Sequence, residues 1–190
     1  MSDNNKVKFG LSNVHYAKLH VTTAGTIEYD TPKPWKGSVD LSLNPQGEQN
    51  SFYADNVDYF TSNSNAGYEG DFESAKVPED FKTDIYGEVA DSDGVLVEKA
   101  EANSVPFALL FQMEGDKNKT RHVLYNCTAS RPTLSSHTTE EGVTVQTETV
   151  TIKAASIPST ALNANVVKAR CSEAESTAYA SWFTTVHQPV

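Results

Sequence analysis

Short runs in which apolar and polar positions alternate recur along this chain, each ending at a cluster of Gly, Pro, Asn or Ser. That is the pattern of half-buried strands joined by turns. Residues 14–21 (VHYAKLHV) and 26–29 read as strands around a TTAG turn, after which the two prolines and the glycine of TPKPWKG redirect the chain. SVDLSLNP alternates again and places Val39, Leu41 and Leu43 on one face, with Asn44-Pro45 to Gly47 ending it. Residues 48–60 (EQNSFYADNVDYF) carry four aromatics among acidic and amide side chains, and the polar TSNSNAG follows. This predicts a long hairpin or extended loop rather than core. In the next run, YEGDFES, Tyr68, Gly70, Phe72 and Ser74 take one parity and Glu69, Asp71 and Glu73 the other, so three carboxylates share one strand face.

VPEDFKTDIYG predicts a short helix. Pro78 suits its first turn, Glu79 and Asp80 suit the positive end of its dipole, Phe81 and Ile85 share a face, and Gly87 stops it. Asp93-Gly94 between valine-rich flanks predicts a tight hairpin. PFALLFQM is an unbroken apolar run of strand length and predicts a central strand buried on both faces, turned by GDKNK into TRHVLYNCTAS. Residues 133–142 read as a surface loop, VTVQTETVTIKA and VVKA as further strands. Residues 177–186 read as a second helix with Tyr179, Trp182 and Phe183 on one side. Some eight or more strands in successive hairpins, with one or two short flanking helices, predict a mainly β, antiparallel sandwich or barrel-like fold over a single domain, residues 1–190.

Charge narrows the function classes. A formal net charge of −10 argues against a phosphate-gripping groove. No apolar run approaches the roughly 20 residues that span a bilayer. The start, MSDNNKVKFG, lacks the apolar centre of a signal peptide, so the chain is expected to be cytoplasmic when made. Cys127 and Cys171 lie far apart without metal-ligand spacing and read as two reduced, independent thiols, with a disulfide as the alternative. Two Asn-X-Thr matches, at Asn118 and Asn126, carry no weight without a secretion signal.

Catalytic and cofactor motifs are missing: there is no GxxxxGK[ST], GxGxxG after a strand, HExxH, GxSxG or alternating-Asp calcium loop. No catalytic residue, metal site or cofactor is expected. His15 and His20 fall on opposite faces of one strand, and His122 shares its parity with Thr120, Asn126 and Thr128; surface imidazoles explain all three. The row Glu69, Asp71, Glu73 has two readings: a solvated face of an edge strand, or a surface with a use for like charge. A single chelated cation is not among them, since alternate strand residues sit about 6.5 to 7 Å apart. Phe52, Tyr53, Tyr59 and Phe60 read either as core or as a protein contact surface on an exposed loop.

PFALLFQMEGDKNKTRHVLYNCTASRP resembles the major tail proteins of long-tailed, non-contractile phages of Gram-positive bacteria, the subunits of the tail tube. KVKFGLSNVHYAKL, LSLNPQGEQNSFYADN, GYEGDFESAKVPEDFKTDIYGE and AYASWF extend the resemblance, in order, over nearly the whole chain. The resemblance implies a β-sandwich with a flanking helix and no enzymatic activity. It further implies hexameric rings stacked into a hollow tube that conducts DNA without specific binding, and partners among tape-measure, tail-tip and tail-terminator proteins. Localisation would be the virion tail, assembled in the host cytoplasm.

On that resemblance residues 1–13 would form an N-terminal arm contacting a neighbour through Lys6, Val7 and Phe9, and residues 44–67 a loop bridging rings through Phe52, Tyr53, Tyr59 and Phe60. Glu69, Asp71 and Glu73 would line the lumen. Some relatives carry a C-terminal immunoglobulin-like domain, for which no sequence is expected here after Val190. Two other readings stand beside this one: a tube subunit of a contractile injection or secretion system, and a monomeric sandwich that binds a ligand through its aromatic loop.

Overall fold

A computed structural model describes residues 10–23, 25–115, 118–134, 146–173 and 176–190. The described residues are mainly β, with one short helix. Its elements are β1 (Leu11–Val21), β2 (Ile27–Tyr29), β3 (Lys33–Pro34), β4 (Ser38–Gln46), β5 (Gln49–Ala54), β6 (Val57–Asn63), β7 (Gly67–Ser74), α1 (Glu79–Asp84), β8 (Val89–Ala90) and β9 (Leu96–Val97). After them come β10 (Phe107–Met113), β11 (Arg121–Ala129), β12 (Glu148–Ala155), β13 (Ile157–Ser159), β14 (Ala164–Val166) and β15 (Lys168–Cys171).

Nine strands form one antiparallel sheet in the order β2-β1-β10-β11-β12-β7-β4, with β3 beside β1 and β15 beside β11. The sheet curls until β4 approaches β1, giving the sandwich-like layering. Inside the curl lies the main core: Val14, Tyr16, Phe72, Phe107, Leu109, Phe111, Val150 and Ile152, with Trp35 and the helix side chains Phe81 and Ile85. Phe81 is the hub, its ring meeting Tyr16 at 4.9 Å, Phe107 at 5.1 Å and Tyr86 at 5.3 Å edge-on, and Trp35 at 4.3 Å. Asp84 ties the helix to the sheet, accepting from Tyr16 Oη at 3.0 Å and from Lys33 Nζ at 2.6 Å. That bond holds the Lys33 amine above its usual range, and burial followed by the Asp84 charge raises the Tyr16 phenol.

The opposite face of the sheet is divided. Over β1, β10 and β11 it is apolar, with Ala17, Ala108, Leu110, Val123 and Tyr125 covered by Trp182 and Val186. The strand β10 is therefore buried on both faces, as its sequence predicts. Over β12, β7 and β4 the same face is polar and open. A register irregularity in the β10–β11 pairing, between Phe107 and Leu109, lets Tyr125 stay with the second core while Cys127 and Ala129 join the first.

Three expectations are corrected. Residues 177–186 are not a helix. Tyr179, Trp182 and Thr184 donate backbone N–H bonds three residues back, and the Ser181 and Thr184 hydroxyls bond nearby carbonyls, a local competition that breaks the helical ladder. Val39 does not join Leu41 and Leu43, because the β4–β7 register shifts between Ser38 and Asp40 and leaves Val39 exposed. The strand β4 runs through Pro45 to Gln46, which an edge strand tolerates because no partner needs the missing N–H. The VVKA strand is present but divided at Val167, whose carbonyl accepts from the Tyr125 N–H. Most of the loop at 133–142, and the start of the strand after it, lie outside the described residues.

Candidate functional site

Two surfaces gather the predicted residues. On the open sheet face, β7 is held between β12 and β4. It is not the edge strand that the solvated-edge reading required, because β4 takes that place. Phe72 and Ser74 point into the core while Glu69, Asp71 and Glu73 point out. Their cross-strand neighbours are Lys153, Thr151 and Thr149 on β12, and Asn44, Ser42 and Asp40 on β4. Directly opposed residues in a sheet share a face. The surface therefore carries four carboxylates, one amine, and otherwise hydroxyl and amide groups.

The row is fixed in place by its neighbours. Lys153 Nζ meets Glu69 Oε2 at 3.2 Å, Thr151 Oγ1 donates to Asp71 Oδ1 at 2.9 Å, and the Thr147 hydroxyl donates to Glu73. Parity within β7 finds the carboxylates but not Lys153, because the pairing that supplies it joins segments some 80 residues apart. The exposed alternation Thr149, Thr151, Lys153 in VTVQTETVTIKA was the available signal.

The second surface is the hairpin of β5 and β6. Its strands pair with each other and with no other strand. Asp55 and Asn56 at the turn both take positive φ, 52° and 62°, the type I′ geometry that suits a two-residue connection. Ser51 and Thr61 hydroxyls donate to Asp58 at 3.2 Å and stiffen the hairpin from one side. Phe52, Tyr53, Tyr59 and Phe60 are 62%, 67%, 72% and 62% exposed, so the core reading of this cluster is set aside for the single chain. Tyr59 is the additional residue where the register shifts between Phe52 and Tyr53, which places aromatic surface on a projecting element.

The other candidates resolve simply. His15 stacks on Phe183 at 4.8 Å, His122 on Phe111 at 5.0 Å, and His20 Nε2 meets Asp30 at 2.9 Å. Among the described residues no cluster of three or more His, Cys, Asp or Glu is arranged around a metal position. Cys127 and Cys171 are free and buried in different cores. Lys6, Val7 and Phe9 lie outside the described residues, while Leu11 to Asn13, the end of the expected arm, already belong to β1. No described helix is long and apolar enough to cross a membrane.

No match was found among curated proteins. A family model described as phage tail tube protein matches residues 2–189. Matched almost end to end by that model, the chain belongs to the phage tail tube family.

Proposed function

We propose that the chain forms hexameric rings that stack into a hollow tube, with the polar face of β4, β7 and β12 towards the lumen. The observation carrying this reading is the composition of that face: Asp40, Glu69, Asp71 and Glu73 against Lys153, with Ser, Thr and Asn elsewhere in the paired rows. A wall of like charge gives a passing phosphate backbone nothing to release counterions against, so DNA slides instead of binding. No catalytic or cofactor role follows from this arrangement.

The hairpin supports the stacking half of the reading. An isolated two-stranded hairpin is marginal in water, and exposed aromatics gain stability when a neighbour covers them. Phe52, Tyr53, Tyr59 and Phe60 are assigned to contacts between rings, and Lys6, Val7 and Phe9 to contacts of the N-terminal arm with a neighbour. The tape-measure protein and DNA would occupy the lumen. Tail-tip and tail-terminator proteins would meet the two ends, in a virion tail assembled in the host cytoplasm.

Negative-stain electron microscopy of the purified protein across a concentration series tests this. Hollow tubes or six-fold rings are the expected result, with tape-measure and tail-tip proteins added as nucleators where the subunit alone stays dispersed. Persistent monomers in the presence of those nucleators would overturn the reading.

A further inference from the structure

We propose that the cleft between the start of β1 and the turn from β3 into β4 is the socket for the tip of the β5–β6 hairpin of a second copy of this chain. This rests on the stacking reading above and names the acceptor that reading leaves open.

Placement comes first. The hairpin leaves the sheet where β7 begins, with Gln46 opposite Gly67. The turn at Lys36 and Gly37 sits where β7 finishes, Ser38 opposing Ser74 and the Ala75 N–H bonding the Gly37 carbonyl at 2.7 Å. Eight strand residues separate these ends, roughly 25 Å at the usual rise. Copies repeated head to tail bring one end of each subunit against the opposite end of the next, and such an unclosed contact propagates a filament.

Chemistry comes second. The cleft has a volume of about 500 Å³ and is lined by Leu11, Val14, His15, Pro34, Trp35 and Lys36, among others. Leu11, Pro34 and the edges of Val14 and Trp35 give it an apolar side next to the polar Ser12, Asn13 and Ser38, and the exposed Lys36 at its mouth makes no ion pair among the described residues. The hairpin segment, residues 48–66, contains Glu48, Asp55 and Asp58 and no lysine or arginine. A partly apolar cleft with a free amine at its rim complements an aromatic hairpin with carboxylates at its tip, first in charge and also in its mixed apolar and polar surface. The segment that carries α1, β8 and β9, residues 75–106, offers no such match: it is itself acidic, eight carboxylates to three lysines.

The test uses wild-type tubes grown from a mixture of isotopically light and heavy subunits. Carbodiimide joins amines to carboxylates already in contact, and peptide mass spectrometry reads the pairs. Lys36 joined to Asp55 or Asp58 in light-heavy peptides is expected. Tubes in which those aspartates join Lys168 or another lysine, or join none, overturn the socket while leaving the tube reading intact. Failure to form tubes at all tells against the tube reading instead. In a second measurement, Lys36→Glu is expected to raise the critical concentration for tube growth about tenfold, with the subunit still folded; an unchanged critical concentration also overturns the socket.

Discussion

At the scale of single residues, Phe81 shows how six helical residues can carry a disproportionate share of the core. It is fully buried and touches rings from β1, β10 and the flanking turns. Phe81→Ala should lower unfolding stability by about 3 to 5 kcal/mol, measured by urea titration; a loss below 1 kcal/mol would show that the surrounding rings collapse into the gap. The thiol of Cys127 reports on the same core. Burial pushes its pKa up to about 12, whereas the unfolded thiol ionises near about 8.5. The folded state therefore holds the proton more tightly, and its contribution is complete below about pH 8.5 and lost as pH rises towards 12. Stability should fall by about 1.4 kcal/mol per pH unit for this group between about pH 9.5 and 11, and Cys127→Ala should flatten the slope there by that amount. An equal slope in the variant would count against it. Phe81 and Ile85 were legible from their i and i+4 spacing, whereas Val39 was not, because a register shift is set by the partner strand.

At the scale of elements, strands were easier to read than their company. The period-two runs located β4, β7 and β12, and the unbroken run at residues 107–112 located β10 and announced its burial on both faces. The sheet order did not follow from them, since β7 pairs with β12 some 80 residues on and β1 with β10 from the first strand to the middle of the chain. Nor did the fate of residues 177–186, where aromatic spacing mimicked a helix while serine and threonine hydroxyls held successive turns. The β5–β6 hairpin was visible, and the proposed stacking role of its exposed aromatics can be tested directly. Replacing Tyr59 and Phe60 with Ser together should leave the thermal midpoint within about 2 °C, since surface changes cost little, yet weaken ring stacking. Light scattering of tube growth would show it, and growth at the wild-type rate would mean these rings face solvent in the tube.

At the scale of the whole molecule, charge sets the terms. In the proposed hexameric rings six copies at −10 each would carry about −60, so ring closure and stacking would proceed against their own repulsion. Raising ionic strength from about 0.02 M to 0.2 M shortens the screening length severalfold and should speed tube growth; slower growth at high salt would point to attraction between charged surfaces as the main drive. Neutralising the proposed lumen row by Glu69→Gln, Asp71→Asn and Glu73→Gln together should leave tubes assembling while DNA ejection slows or stalls. Normal ejection kinetics from such particles would remove this row from any role in transport.

The two cysteines lie on opposite faces of one sheet, each sealed in its own core. They cannot meet within a subunit, and their sulfurs present nothing for a neighbouring subunit to couple to. A filament built from this chain thus owes nothing to disulfides. Passing from a reducing interior to air neither adds nor removes a sulfur cross-link between its subunits.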